Sequence, residues 1–196
     1  MNGQARNAVS SVETAFEVVD ALMELDGAGV TELSTHLDLP KSTLHSHLST
    51  LEQEEYVVQE GSTYRIGLRF LELGTFGRER YPLYCIARSE VDTLAEETGE
   101  LANLLVEEHG WGIYLHRARG EDAVSVEPRI GTRVHLHSTA MGKSILAHLP
   151  RDAVERIVDR RGLPAQTDRT ITDREALFEE LASIRERGYA VDDEEH

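Results

Sequence analysis

Leu39-Pro40-Lys41-Ser42-Thr43-Leu44-His45-Ser46-His47-Leu48-Ser49-Thr50-Leu51 carries no acidic side chain, in a chain with 36 acids among its 196 residues. Leu44, Leu48 and Leu51 recur at helical spacing and form one apolar face, while Ser42, His45, Ser46 and Ser49 form an opposite face of hydroxyls and imidazoles. The pattern predicts a helix from about Lys41 to Glu54. Asp38-Leu39-Pro40 is a turn ahead of it, with Pro40 suited to a first helical turn. Upstream, Val30, Leu33 and Leu37 are the apolar side of a short helix that Thr31 could cap. Val12, Phe16, Val19 and Met23 mark a longer one, started by the capping-box spacing Ser10-Ser11-Val12-Glu13 and ended by Gly27 and Gly29. Downstream, residues 56–59 and 64–67 read as two short strands joined by Glu60-Gly61-Ser62-Thr63. Three helices with a tight turn between the second and third, followed by a hairpin, make a winged helix-turn-helix.

The charge balance limits what this unit can touch. Lys and Arg total 20 against 36 Asp and Glu, a formal net charge of −16, and only Lys41 and Lys143 are lysines. Dense acid with almost no lysine is the surface habit of halophilic proteins from very salty cytoplasm, where screening removes self-repulsion, and a merely acidic mesophilic protein is the alternative. Residues 1–67 hold three basic residues (Arg6, Lys41, Arg65) against eleven acids. Contacts to a polyanion must therefore be few and local, and tolerant of salt. Hydrophobic residues make up 40% of the chain, enough for a core. No apolar run approaches the roughly 18 residues of a membrane helix, and the first residues carry no signal-peptide pattern. One cysteine, Cys85, excludes an intramolecular disulfide framework. A cytoplasmic protein with no membrane partner is expected.

The second half alternates between helical and strand-like patterns. Residues 68–77 read as a helix connecting two domains, broken by Arg78-Glu79-Arg80-Tyr81-Pro82. Residues 83–98 are helical and end at Gly99. Segments 102–108 and 112–117 are strand-like around the turn His109-Gly110, and 123–127 and 134–137 are further strands. Helices follow over 140–149, stopped by Pro150, and over 152–161. After a loop at 162–169, Thr172-Asp173-Arg174-Glu175 caps a helix over 174–187 that Gly188 ends. The fold class is α+β: a winged helix-turn-helix over 1–67, a linker helix over 68–80, and an α/β domain over 81–196.

A second acid-free stretch covers 128–151. Both lysines and five of the nine histidines (His45, His47, His135, His137, His148) fall in the two gaps. Either one gap is a buried strand and helix from which acids are excluded anyway, or both gaps face anions. In the first gap, hydroxyls and imidazoles can meet base edges and phosphate oxygens. Lys41 and Ser42 stand at a helix N-terminus, where free N–H groups and the dipole favour phosphate. Arg65, on the second wing strand, is placed to touch DNA backbone or minor groove. His45 and His47 point to different faces and make a poor metal pair. In the second gap, Arg133-Val134-His135-Leu136-His137-Ser138-Thr139-Ala140-Met141-Gly142-Lys143 is a strand running into a helix start, whose free backbone N–H groups can seat a carboxylate. Gly142-Lys143-Ser144 is not a phosphate-binding loop, because His137 stands where that motif needs its first glycine. His135 and His137 share a strand face and could hold a metal, but no cysteine or acid joins them nearby, so a core or pocket-rim role fits better.

Val30-Thr31-Glu32-Leu33-Ser34 followed by Leu39-Pro40-Lys41-Ser42-Thr43-Leu44-His45 resembles the DNA-binding domain of the IclR family of transcriptional regulators. Tyr64-Arg65-Ile66-Gly67 resembles that family's wing exit. The segment Ala140-Met141-Gly142-Lys143-Ser144-Ile145-Leu146-Ala147 with Leu149-Pro150, and Gly188-Tyr189-Ala190-Val191-Asp192-Asp193-Glu194-Glu195, resemble its GAF-like effector domain. The resemblance implies that Lys41, Ser42, Thr43, His45 and Ser46 contact operator DNA. Ser46 departs from the basic residue that most relatives carry after the histidine. The resemblance also places the amides of Ala140 and Met141 and the Asp192 side chain in a pocket for a small organic acid or aromatic effector. Relatives continue for several dozen residues beyond the segment matching 192–196, which implies a chain shortened at its C-terminus with an unfinished sheet.

The candidate DNA contacts are thus Thr31, Lys41, Ser42, Thr43, His45, Ser46 and Arg65, and the candidate effector contacts His135, Ala140, Met141, Gly142 and Asp192. No cofactor is expected. The expected protein is a regulator acting as a homodimer or dimer of dimers on pseudo-palindromic double-stranded DNA. A winged helix that binds protein instead of DNA is one alternative. An enzyme on the GAF-like domain is the other, although no Ser-His-Asp or Cys-His set, metal spacing or paired carboxylates stand out.

Overall fold

The computed structural model describes residues 7–123 and 129–196, so the strand expected over 123–127 falls outside the described residues apart from Ala123, which is not in a strand. The chain divides into two compact units between Gly77 and Arg78.

In the first unit α1 (Ser10–Glu24), α2 (Val30–Leu37) and α3 (Lys41–Gln53) enclose a core of Val18, Leu22, Leu33, Leu44 and Leu48, none more than 1% exposed. Each such side chain contributes roughly 1.5–3 kcal/mol by leaving water. Asp38 takes a left-handed conformation (φ 52°) and turns the chain from α2 towards α3. Strands β1 (Val57–Glu60) and β2 (Thr63–Ile66) pair antiparallel, with Val57 opposite Ile66 and Glu60 opposite Thr63. Gly61 (φ 66°) supplies the positive φ that a two-residue hairpin loop needs. Ala28 exchanges backbone hydrogen bonds with Tyr64 at 2.9 and 3.1 Å and pins the wing to the α1–α2 loop. The helix α4 (Arg69–Glu79) follows.

Local chemistry differs from the sequence reading at three places here. α1 does begin at Ser10, but its cap is Val9, with no side-chain hydrogen bond, so the Ser10–Glu13 capping box does not form. Thr31 lies inside α2 behind Gly29, also without a side-chain cap. The periodic set on α1 is the outer one: Val12, Phe16 and Met23 are 50, 60 and 67% exposed, while Val18, Ala21 and Leu22 face the core. α1 is apolar on two sides, and periodicity alone does not choose between them.

The second unit starts with α5 (Pro82–Thr98), ended by Gly99 at φ 74°. Strands β3 (Leu101–Glu108), β4 (Trp111–Arg119) and β5 (Arg133–His135) form an antiparallel sheet in that order. The β3–β4 register shifts between Leu104 and Leu105. Helices α6 (Ala140–His148), α7 (Arg151–Arg161) and α8 (Arg174–Arg187) follow. Leu136, Leu146, Val154, Leu177, Leu181 and Ile184 lie at the centre of its core. α8 opens as the sequence predicts, with Asp173 Oδ1 accepting from the Ala176 N–H at 2.9 Å. The strand expected over 134–137 stops at His135. A 3-10 turn, Leu136–Ser138, replaces its end, and all three of its residues are buried, which an alternating strand could not achieve. The chain folds back there so closely that a Cβ on Gly142 would lie 2.2 Å from the Leu136 carbonyl oxygen.

Candidate functional site

α3 is held to the first unit by Leu44 and Leu48 and turns Lys41, Ser42, His45, Ser46 and Ser49 to solvent, with Thr43 partly covered. Ser46 Oγ donates to the Ser42 carbonyl at 3.1 Å and Thr50 Oγ1 to the Ser46 carbonyl at 2.8 Å. These hydroxyls keep lone pairs free to accept from a base amino group. The Lys41 ammonium donates to Thr31 Oγ1 at 2.9 Å, so Thr31 orients the lysine at the start of α3 rather than capping α2. Arg65 is the most engaged candidate. It donates to the Asp26 carbonyl at 2.6 Å and pairs with the Glu60 carboxylate at 3.3 Å, clamping the wing to the α1–α2 loop.

At the second gap, Thr139 caps α6 by accepting from the Gly142 N–H at 3.0 Å, which takes that amide out of the set available to a ligand. Gly142 contributes closeness instead, through its packing on Leu136. Ala140 and Met141 are half-buried at the helix start. His135 and His137 meet edge to face with ring centroids 5.4 Å apart, although they do not share a strand. His137 donates Nε2 to the Pro164 carbonyl at 3.0 Å. Burial holds the imidazoles of both below the ordinary histidine range: His137 and Arg161 add to this at His135, while the Pro164 bond and Glu195 oppose it at His137. Asp192 accepts from the Glu195 N–H at 2.8 Å. Its charge also bears on the buried Tyr114, whose hydroxyl is pushed up mainly by burial.

The sequence reading missed what sits beneath this seat. Lys143, dismissed with the false phosphate loop, is 1% exposed and donates to Glu195 Oε1. Thr170 Oγ1 donates to the Glu195 carbonyl at 2.7 Å, and Ser138 Oγ lies 3.4 Å from His196 Nδ1. The segment carrying Glu195 thus lies along the entrance to α6. No local signal marks the pair, because 52 residues separate its members. Among the described residues no group of three or more His, Cys, Asp or Glu could hold a metal ion, and no helix is long and apolar enough to cross a membrane.

Comparison with known proteins gives the same division. The family model of the IclR helix-turn-helix domain matches residues 11–61, and that of the bacterial transcriptional regulator IclR C-terminal domain matches residues 78–196. A probable HTH-type transcriptional regulator, ArcR of Halobacterium salinarum, is 38% identical over 99% of this chain and 75% of its own length. The crystal structure of Thermotoga maritima IclR is similar with a TM-score of 0.72 at 31% identity, covering 95% of this chain and 76% of that one. An IclR homolog from Microbacterium hydrocarbonoxydans, complexed with 4-hydroxybenzoate, gives a TM-score of 0.73 at 25% identity, covering 91% and 76%. The chain spans about three quarters of the length of these relatives. The two family models together cover most of the chain, one on each of its two units, and the chain belongs to the IclR family of DNA-binding transcriptional regulators.

Proposed function

We propose that the protein acts in the cytoplasm as a homodimer or dimer of dimers on a pseudo-palindromic operator, under control of a small organic acid or aromatic carboxylate. The observation that carries the DNA reading is the outer face of α3. Lys41, Ser42, His45 and Ser46 are exposed there, with Thr43 partly covered and no carboxylate between Asp38 and Glu52. Thr31 steadies Lys41, and Arg65 holds the wing that follows the helix. A second copy is favoured by α1, where Val12, Phe16, Val19 and Met23 alternate at spacings of four and three, the seam pattern of paired helices. Two recognition helices supply specificity that one short helix cannot.

On the effector side, the Ala140 and Met141 amides stand at the positive end of the α6 dipole and suit a carboxylate. His135 and Asp192 are the side chains we assign to the same seat, and Gly142 lets the entrance of α6 pack closely on Leu136. The Microbacterium homolog, complexed with 4-hydroxybenzoate, supports an aromatic acid as the first effector to try. The test is a footprint on the protein's own promoter region in KCl from about 0.2 M to about 2 M. A protected pseudo-palindrome that survives molar salt and vanishes in Lys41→Glu supports the reading. No protection at any salt refutes it in favour of a protein-binding winged helix.

A further inference from the structure

Four consecutive residues at the β3–β4 turn hold two separate parts of the second unit. Glu108, the last residue of β3, accepts the Tyr81 hydroxyl at 2.8 Å and an Arg80 guanidinium N–H on the same oxygen. This ties the corner between α4 and α5 to the sheet. The His109 carbonyl accepts twice from Arg161, from Nε at 3.0 Å and Nη2 at 2.7 Å. Gly110 lies under the Arg161 stem, where a Cβ would come within 3.1 Å of Arg161 Cγ. Trp111, the first residue of β4, stacks below the same guanidinium at 4.6 Å and packs on the His135 ring at 4.5 Å. His135 then meets His137, which belongs to the 3-10 turn leading into α6.

The turn between these two grips is stiff. His109 and Gly110 both have positive φ, 55° and 83°, as a two-residue hairpin of the twist-matched kind requires, and the Glu107 carboxylate accepts the Gly110 N–H at 2.7 Å. One member has slack. His135 Nδ1 is buried without a hydrogen-bond partner, and its ring borders a cavity with room for about one water, lined also by Gly110, His137 and Arg161.

We propose that the β3–β4 turn is the coupling element of this unit. Arg161 acts as its positioning residue, making the arrangement of the α6 entrance and that of the corner at Arg80 and Tyr81 depend on each other. The chain leaves for the winged helix through that corner, so a message carried along the backbone from the effector seat passes through it. The regulatory meaning rests on the α6 entrance being the effector seat. The coupling itself needs no effector and is measured without one.

Amide hydrogen exchange on the full chain tests it with Glu108→Gln, which weakens the corner grip, and Arg161→Met, which keeps the aliphatic stem but removes the bonds to His109. Leu181→Ala in α8 is the control for general loss of stability. Coupling of the usual allosteric size speeds exchange about fivefold or more at the far end. Glu108→Gln should do so at 136–145, and Arg161→Met at both 81–85 and 136–145, with α8 amides unchanged. If Arg161→Met destabilises too far, Trp111→Leu removes the next link and carries the same expectation. Changes confined to 78–86 for Glu108→Gln and to 107–111 for Arg161→Met overturn the proposal. A uniform rise across all segments, as in Leu181→Ala, overturns it equally. Neither result bears on whether an acid binds at α6, which titration with 4-hydroxybenzoate reads separately.

Discussion

Lys41→Gln separates a DNA-binding face from a merely polar one. The basic side chains between residues 7 and 77 are Lys41, Arg65 and Arg69. Arg65 pairs with Glu60 at 3.3 Å, and Arg69 with Glu55 at 3.7 Å. Among the described residues Lys41 meets only the Thr31 hydroxyl, at 2.9 Å. A phosphate can take the Lys41 ammonium at the loss of at most one hydrogen bond to a neutral acceptor, whereas at either arginine it must displace a carboxylate. Each phosphate neutralised on duplex DNA contributes a slope of about −0.9 to log K against log salt. Counting only the described residues 7–77, with one cation per protomer that faces no carboxylate, a dimer should therefore show a slope of about −1.8, shallow for an operator-binding protein. Lys41→Gln should bring the slope near zero and weaken binding by roughly 1.5–3 kcal/mol per protomer at low salt, the range for a hydrogen bond to a charged group. Arg65→Gln should leave the slope nearly unchanged and loosen the wing instead. Fluorescence anisotropy on the footprinted operator, from about 0.2 M to about 2 M KCl, reads all three. A wild-type slope of about −6 or steeper, or a Lys41→Gln slope equal to wild type, refutes the reasoning, because the contacts would then lie elsewhere.

Three further outcomes follow from the second unit. Lys143→Met leaves the buried Glu195 carboxylate without its cation and should cost about 3–5 kcal/mol in urea unfolding. Lys143→Met with Glu195→Leu should recover most of that loss, and additive single losses would refute the pairing. Gly142→Ala forces a Cβ to within 2.2 Å of the Leu136 carbonyl oxygen and should cost at least about 1–3 kcal/mol; an unchanged urea midpoint refutes the close approach. His135 and His137 are held below the usual histidine range by burial, so the unfolded chain binds more protons as pH falls through about 6.5. Their contribution is full above that value and lost below it. Unfolding midpoints should drop more between pH 7.5 and 5.5 in the wild type than in a His135→Gln, His137→Gln variant, and equal drops would refute the assignment.

Much of the fold was legible because the deciding signals are local. Asp173 one residue before a helical pattern, Gly99 and Gly188 just after one, and His109-Gly110 between two apolar runs each satisfy a backbone requirement that only a few residues meet. The α3 faces were legible for a related reason, since Leu44 and Leu48 sit four apart and nothing apolar competes on the other side. On α1 two apolar stripes coexist, so spacing cannot say which is buried. The Arg161 and Glu195 contacts were illegible because each joins residues 52 apart. Their meeting depends on how α7 and the segment beyond α8 pack against the sheet and α6, and no local pattern records that.

The two acid-free stretches show how one statistical signal can arise from opposite causes. Along 128–151 acids are missing largely because Leu136, His137, Ser138, Lys143, Leu146 and Ala147 are buried, and an unpaired carboxylate there would cost several kcal/mol. The one acid that does reach this place, Glu195, arrives from another segment and is met by Lys143. Along 39–51 burial explains only Leu44 and Leu48; Lys41, Ser42, His45, Ser46, Ser49 and Thr50 face water, where an acidic chain has every physical reason to place Asp or Glu. Exclusion of acid from an exposed face is what an anionic partner would select. The same composition that makes the whole chain look unsuited to DNA therefore makes this face conspicuous, and exposure, rather than charge, separates an acid-free face turned to water from an acid-free stretch that is largely core.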